Sequence, residues 1–302
     1  METMPVSEPV LRITNLSKSY GPVKALRNLS IEVGKGQVYG ILGPNGSGKT
    51  TTLSILTGIL EQDEGSFSWF GEKSNASLRR RIGSLIETPS FYPYLSLQEN
   101  LKIVAQIKEC GFEEIPEVLQ TVKLLERKKS NFSTLSLGMK QRLGIAATLI
   151  GNPEVLVLDE PTNGLDPEGI ADVRELILEQ AAKGKTIIMA SHILSEVEKI
   201  CSEVAILKSG QLLAQGNVQT LLAGKILLEV KAADPLKLLD ILEKCPFVSQ
   251  AKLEGTGVNV VLKEGKGSAD LNQYSFEQGI ILSEIILQKK SLESQFLELV
   301  KG

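Results

Sequence analysis

Apolar positions recur with three different periods along this chain of 302 residues, and each period predicts a different kind of element. From residue 10 to 41 they alternate: Leu11, Ile13 and Leu16, then Ala25, Leu26, Leu29, Ile31 and Val33. Turn signals at Gly21-Pro22 and Gly34-Lys35-Gly36 punctuate the alternation, so the segment predicts a small antiparallel β-layer. Apolar runs at 38–42 and 185–191 predict buried strands, the run 154–161 a buried strand of a parallel sheet, and 66–71, 82–86 and 204–207 further short strands. Helical spacing places Leu97, Leu101, Val104, Ala105 and Ile107 on one face, behind Ser96 as N-cap with Glu99 completing a capping box. Further helices are predicted over about 113–124, 143–150, 168–183 and 194–200, so residues 88 to about 150 read as a helical insertion in an α/β frame.

The composition resets near Gly224. Predicted strands at 226–232, 248–253, 258–263 and 280–288 interleave with helices at 235–244 and 269–279, and a last helix is predicted at 292–300. This β-α-β-β-α-β order suggests a small α+β, ferredoxin-like module over 224–302, behind a main domain over 10–222. No chemistry is legible in it.

Bulk properties narrow the partners. A net charge of −3 with interspersed signs lacks the basic stripe of a nucleic-acid binder, so nucleic acid is not expected as a partner. Three widely spaced cysteines suit reduced thiols better than disulfides or a metal site. Residues 1–9 do not read as a signal peptide. No apolar run approaches the roughly 18 residues of a membrane span, so a role at a membrane requires a separate membrane-embedded partner.

The candidate chemistry centres on Gly43-Pro44-Asn45-Gly46-Ser47-Gly48-Lys49-Thr50-Thr51, which has the pattern G-x-x-x-x-G-K-[ST] between a predicted strand and a predicted helix. Glycines at 43, 46 and 48 let successive backbone N–H groups turn toward one anion, and the helix N-terminus adds its field. Lys49 is suited to reach the β- and γ-phosphates of a nucleotide, and the Thr50 hydroxyl to hold Mg²⁺. The run ending in Asp159-Glu160 reads as a strand delivering two acids at its carboxyl end, Asp159 toward Mg²⁺ and Glu160 toward the attacking water; alone, such a pair is also consistent with a solvated turn. Three other residues have two readings each. Tyr20 is a packing residue or an aromatic face for a flat ligand, Ser136 an ordinary N-cap or a second anion site, and His192, the only histidine, a capping or a catalytic residue.

Taken together and in this order, the motifs resemble the ATP-binding subunits of ABC transporters over residues 10 to about 221. The resemblance implies an α/β fold: a P-loop NTPase core of the ABC ATPase type with an antiparallel β-layer and a helical insertion. Tyr20 then resembles the aromatic that stacks on adenine, residues 43–51 the Walker A loop, and Ser136-Leu137-Gly138-Met139-Lys140 the signature motif. Asp159 and Glu160 resemble the Walker B aspartate and catalytic glutamate, Leu165-Asp166 the D-loop and His192 the switch histidine. Ser136, Gly138 and Asp166 would thus contact nucleotide, and Lys49, Glu160 and His192 would carry catalysis.

Two departures stand out. Leu137 and Met139 replace a glycine and a glutamine of the usual Leu-Ser-Gly-Gly-Gln signature. Glu87 stands where the family has a glutamine that touches Mg²⁺ and adjoins the membrane subunit. Glu87 in the run 86–93, with Ser136 to Ala146, resembles the bacitracin-export and lantibiotic-immunity branch. The resemblance implies ATP and Mg²⁺ as cofactors, a second copy of the chain closing head to tail over two nucleotides, an integral membrane permease as partner, and a peripheral place on the cytoplasmic face of a bacterial membrane. A soluble ABC ATPase acting on ribosomes or DNA is the rival reading; such proteins usually carry two cassettes or long coiled coils, and this sequence has neither. A P-loop kinase or GTPase has no need of the Ser136 motif.

Overall fold

The computed structural model describes residues 8–73, 75–110, 112–222, 227–263 and 265–288. The alternating segment forms β1 (Leu11–Tyr20) and β2 (Val23–Val33), an antiparallel pair whose inward side chains Leu11, Ile13, Leu16, Leu26, Leu29, Ile31 and Val33 are all buried. The chain then enters β3 (Val38–Leu42), turns through the glycine loop into α1 (Lys49–Leu56), and returns to the first layer as β4 (Glu64–Trp69). The layer has the order β2-β1-β4. Trp69 is fully buried, and its indole N–H donates to Leu56 O at 3.0 Å, tying the layer to the end of α1.

A short helix that periodicity does not predict, α2 (Ala76–Arg80), is capped by the Asn75 side chain accepting from Leu78 N, and leads into β5 (Ile82–Leu85). The helical insertion follows as α3 (Leu97–Lys108), α4 (Ile115–Thr121) and α5 (Leu137–Leu149). Both bonds of the Ser96–Glu99 capping box form. Three expectations need correction here. Ile107 is 77% exposed, because it lies about 120° around the helix from Leu101, off the stripe made by Leu97, Leu101 and Ala105. The second helix stops at Thr121, three residues early, with Lys123 in left-handed backbone just beyond it. The third begins at Leu137 rather than 143, directly behind Ser136.

The remaining elements of this unit are β6 (Val155–Asp159), α6 (Pro167–Ala182), β7 (Thr186–Ser191), α7 (Leu194–Ile200), β8 (Glu203–Lys208) and β9 (Gln211–Asn217). The central sheet has the order β5-β6-β7-β3-β8-β9, parallel except for β9. β3, β6 and β7 are buried throughout, which explains why they read as continuous apolar runs rather than alternating ones. Their side chains join those of the β-layer and α1 in one core, where each fully buried Leu, Ile or Val contributes roughly 1.5–3 kcal/mol. Among the described residues no helix is long and apolar enough to cross a membrane.

The chain divides into two compact units between Asn217 and Val218. The second contains α8 (Val218–Leu222), β10 (Leu227–Ala232), α9 (Pro235–Glu243), β11 (Val248–Glu254), β12 (Gly257–Leu262), α10 (Ser268–Glu277) and β13 (Leu282–Gln288). Its sheet has the order β11-β12-β10-β13 with every neighbour antiparallel. Leu228, Val230, Val258 and Val260 on the strands pack with Leu238, Leu242 and Leu271 of the helices in a core of their own. The helix expected at 292–300 and the first residue of the strand expected at 226 lie outside the described residues.

Candidate active site

Three neighbouring strands end at the same edge. β7 lies between β6 and β3, and the register sets Leu42 beside Ser191 and Asp159 beside Ala190. The glycine loop after β3, the acids ending β6 and His192 after β7 therefore emerge side by side at the carboxyl edge of the parallel strands, where open sheets take ligands.

The loop is shaped by close approach. Gly48 has φ 106°, and a Cβ there would lie 2.6 Å from Ala25 O and 2.7 Å from Leu26 Cδ2, so backbone rather than side chain has to occupy this point. At Gly46 a Cβ would meet nothing within 4 Å, so the loop opens outward there. Lys49, only 5% exposed, directs its ammonium at Gly43 O (2.8 Å), Pro44 O (3.4 Å) and Glu160 Oε1 (3.3 Å). The other Glu160 oxygen, Oε2, is 2.8 Å from His192 Nδ1 and accepts the His192 backbone N–H at 3.3 Å. A continuous polar chain thus runs Lys49–Glu160–His192. Consecutive residues of a strand point to opposite faces, and Glu160 escapes that rule by adopting left-handed backbone, φ 45°, immediately after Asp159.

Asp159 is 2% exposed. Burial pushes its carboxyl above the usual carboxylate range; a hydrogen bond from Thr50 opposes this, Glu160 adds to it, Lys49 opposes it, and Glu87 adds a smaller push in the same upward direction. Glu87 follows β5 in left-handed backbone, φ 58°. Asp159 Oδ1, Ser47 Oγ and Thr162 Oγ1 are buried without a hydrogen-bond partner. Unsatisfied buried oxygens are costly, and three of them gathered on the loop and the neighbouring strand end fit a site built to receive polar groups. The hydroxyl of Thr50 and the carboxylate of Asp159 are hard oxygen donors of the kind Mg²⁺ takes. Among the described residues no group of three or more His, Cys, Asp or Glu could hold a metal, so a cation here would complete its shell with phosphate oxygens and water.

The Ser136 motif builds a separate hollow. Ser136 Oγ accepts from Met139 N (3.3 Å) and Asp166 Oδ1 from Gly169 N (2.9 Å), so the two residues cap α5 and α6 side by side. Ser136, Gly138, Arg142 and Asp166 line one concavity to which no residue of 43–51 contributes. Tyr20 ends β1, the residue 47% exposed and the Lys18 ammonium 6.0 Å from the ring centre. Two participants escaped the sequence: Thr162, whose hydroxyl no motif singles out, and the Arg142–Asp172 pair (3.6 Å) joining α5 to α6 beside Ser136.

A glycine loop whose lysine meets a strand-end glutamate, with a threonine and aspartate adjoining, defines a P-loop nucleoside-triphosphate hydrolase. Residues 26–163 match the family described as ABC transporter. The chain is 39% identical, over 97% of its length and 98% of the relative's, to the bacitracin transport ATP-binding protein BcrA of Bacillus licheniformis. It is 41% identical, over 73% of its length and 99% of the relative's, to the lantibiotic transport ATP-binding protein SrtF of Streptococcus pyogenes. Its fold matches a dimeric ATP-binding cassette in a post-hydrolysis state bound to ADP and phosphate, with a TM-score of 0.64 at 25% identity, over 69% of this chain and 98% of that one. The chain belongs to the ABC transporter family as an ATP-binding, ATP-hydrolysing subunit, and groups with the bacitracin and lantibiotic transport proteins.

Proposed function

We propose that this subunit powers export of a peptide antibiotic of the bacitracin or lantibiotic kind through a separate membrane permease, giving self-protection or resistance. It does so on the cytoplasmic face of the membrane as one of two copies closed head to tail. The observation that carries the catalytic part is the Lys49–Glu160–His192 chain at the carboxyl edge of the sheet.

In this reading Tyr20 stacks on the adenine, the N–H groups of 43–51 cradle the phosphates, and Lys49 leaves the loop carbonyls for the β- and γ-phosphates. Glu160 draws the proton of a water whose oxygen attacks the γ-phosphorus; the bond to the β–γ bridging oxygen breaks, and ADP and phosphate leave. His192 holds the Glu160 carboxylate in place and contacts the departing phosphate. Mg²⁺, held by Thr50 and Asp159 with Glu87 nearby, would neutralise charge on the phosphate oxygens. The hollow at Ser136, Gly138 and Asp166 shares no lining residue with the loop of its own chain and serves the nucleotide of the second copy, as expected for a pair that closes over two ATP molecules. Residues 224–302 form an accessory module.

Size-exclusion chromatography of the Glu160→Gln variant tests this. With ATP it elutes as a dimer and hydrolyses at least about a hundredfold more slowly than the parent. A variant that stays monomeric with ATP, or hydrolyses at the parent rate, sinks the assignment. Co-purification with ribosomes rather than with a multi-span membrane protein would favour the rival reading.

A further inference from the structure

A second cavity lies at the opposite edge of the six-stranded sheet. Lys35 precedes β3, Arg81 precedes β5, Glu154 precedes β6, and Lys183 and Lys185 precede β7, so each stands at the amino end of a strand whose other end leads toward the active site. With Glu8 they line a single cavity of about 630 Å³. Four cations there face two carboxylates, an excess of two positive charges. The five residues of β6 separate this cavity from Asp159 by about 17 Å.

The cations are incompletely neutralised. Arg81 pairs with Glu154 (Nε to Oε1, 2.7 Å), and its guanidinium lies 3.6 Å from the centre of the Phe70 ring. Lys185 is held by neutral oxygens, Asn152 Oδ1 at 2.7 Å and Pro153 O at 2.6 Å. Among the described residues neither Lys35 nor Lys183 makes an ion pair. Burial, then repulsion from Lys183, hold the Lys185 ammonium below its usual range. An independent observation points the same way. An adjoining hollow shares Asn152, Lys183 and Lys185, is also lined by Glu114 and Glu117, and contains Gln180, which is 2% exposed and whose Nε2 donor has no acceptor. Two ammonium groups that make no ion pair, in a cavity with two more cations than carboxylates and beside an amide donor without an acceptor, describe a place shaped for an anion with several oxygens.

We propose that this cavity binds a small, multiply charged, phosphate-bearing anion, distinct from the nucleotide at the glycine loop. Lys35, Lys183 and Lys185 supply the charge. Glu154 tunes the site, because it occupies Arg81 and repels the ligand. The volume lies within the range of small-molecule pockets, and a concave site between strand ends suits a soluble ligand better than a membrane surface.

The test is calorimetric titration of inorganic pyrophosphate into the full chain, with ADP saturating the nucleotide loop and divalent cations chelated. One-to-one saturable binding is expected. The dissociation constant should rise about tenfold or more in Lys183→Ala and in Lys35→Ala, fall in Glu154→Gln, and stay unchanged in Lys102→Ala, an exposed lysine of α3. Tightening in Glu154→Gln is an effect that a damaged fold does not produce. Absence of saturable heat overturns the proposal, as does an affinity indifferent to Lys183→Ala and Glu154→Gln. A parallel arm uses phosphatidylglycerol vesicles: if vesicles bind through the same lysines and pyrophosphate does not, the occupant is a lipid headgroup and the soluble ligand is ruled out.

Discussion

Oε2 of Glu160 stands 2.8 Å from Nδ1 of His192 and also receives the backbone N–H of that residue, so one carboxylate oxygen is gripped twice by the same neighbour. Its other oxygen faces Lys49 at 3.3 Å. Removing the imidazole leaves the lysine to pull the carboxylate toward the loop.

His192→Ala should therefore hydrolyse ATP about a hundredfold more slowly while binding nucleotide with near-parental affinity, since the hydrogen bond of the ring is to Glu160 and not to the loop. A fluorescent-nucleotide titration run beside a phosphate-release assay separates the two effects. Equal loss in both would show that His192 supports the loop rather than the reaction.

Asp159 carries a pH signature. Burial raises its pKa in the folded chain, so the folded state binds the proton more tightly than the unfolded state does. Stability then falls as pH rises from the ordinary Asp value through the raised one. Asp159→Asn should melt higher than the parent at pH 7.5 without nucleotide, the difference should shrink toward pH 4, and Mg²⁺ with ATP should stabilise the parent more than the variant. A variant melting lower at every pH would contradict the burial argument.

Gly48→Ala sets a Cβ 2.6 Å from Ala25 O in backbone with φ 106°. The strain and the clash together should cost about 1–4 kcal/mol, which lowers the melting midpoint by several degrees, and should displace the lysine that follows. Differential scanning calorimetry and ATP titration both read the change.

Lys108 donates to Ala147 O, Thr148 O and Ile150 O at 3.2, 3.4 and 2.9 Å, closing the carboxyl end of the helix that begins at Ser136. Lys108→Met keeps the aliphatic stem and removes the donors. A loss of about 1–3 kcal/mol is expected in urea unfolding, with the slope m unchanged. Parental stability would mean that water serves these carbonyls equally well.

The parts of the site written in neighbouring residues were legible, and those made by distant ones were not. The loop at 43–51 announces itself because its spacing is local, and Ser96 with Glu99 announce a helix start for the same reason. The start of α5 was legible in its N-cap Ser136 but not in its periodicity: Leu137 is half exposed and Gly138 is a poor helix former, so the apolar pattern becomes visible only at Leu143, six residues into the helix. Ile107 misled in the other direction, an apolar residue near the buried stripe yet pointing to solvent. Contact between Lys49 and Glu160 depends on β7 lying between β3 and β6, and no local pattern encodes that strand order. The cavity at the amino ends of the strands was invisible for the same reason: Lys35, Arg81, Glu154 and Lys183 are unremarkable loop charges until the sheet aligns them.

The left-handed backbone at Glu160 makes position 160 a poor place for evolutionary drift by small steps. Any side chain with a Cβ carries about 1–2 kcal/mol of strain there, and glycine alone would relieve it. Mutation toward glycine would thus be rewarded in stability and punished in turnover. Glutamate at this position therefore sets the reaction against the stability of the fold, and Glu160→Gly paired with Glu160→Gln would measure the two effects separately.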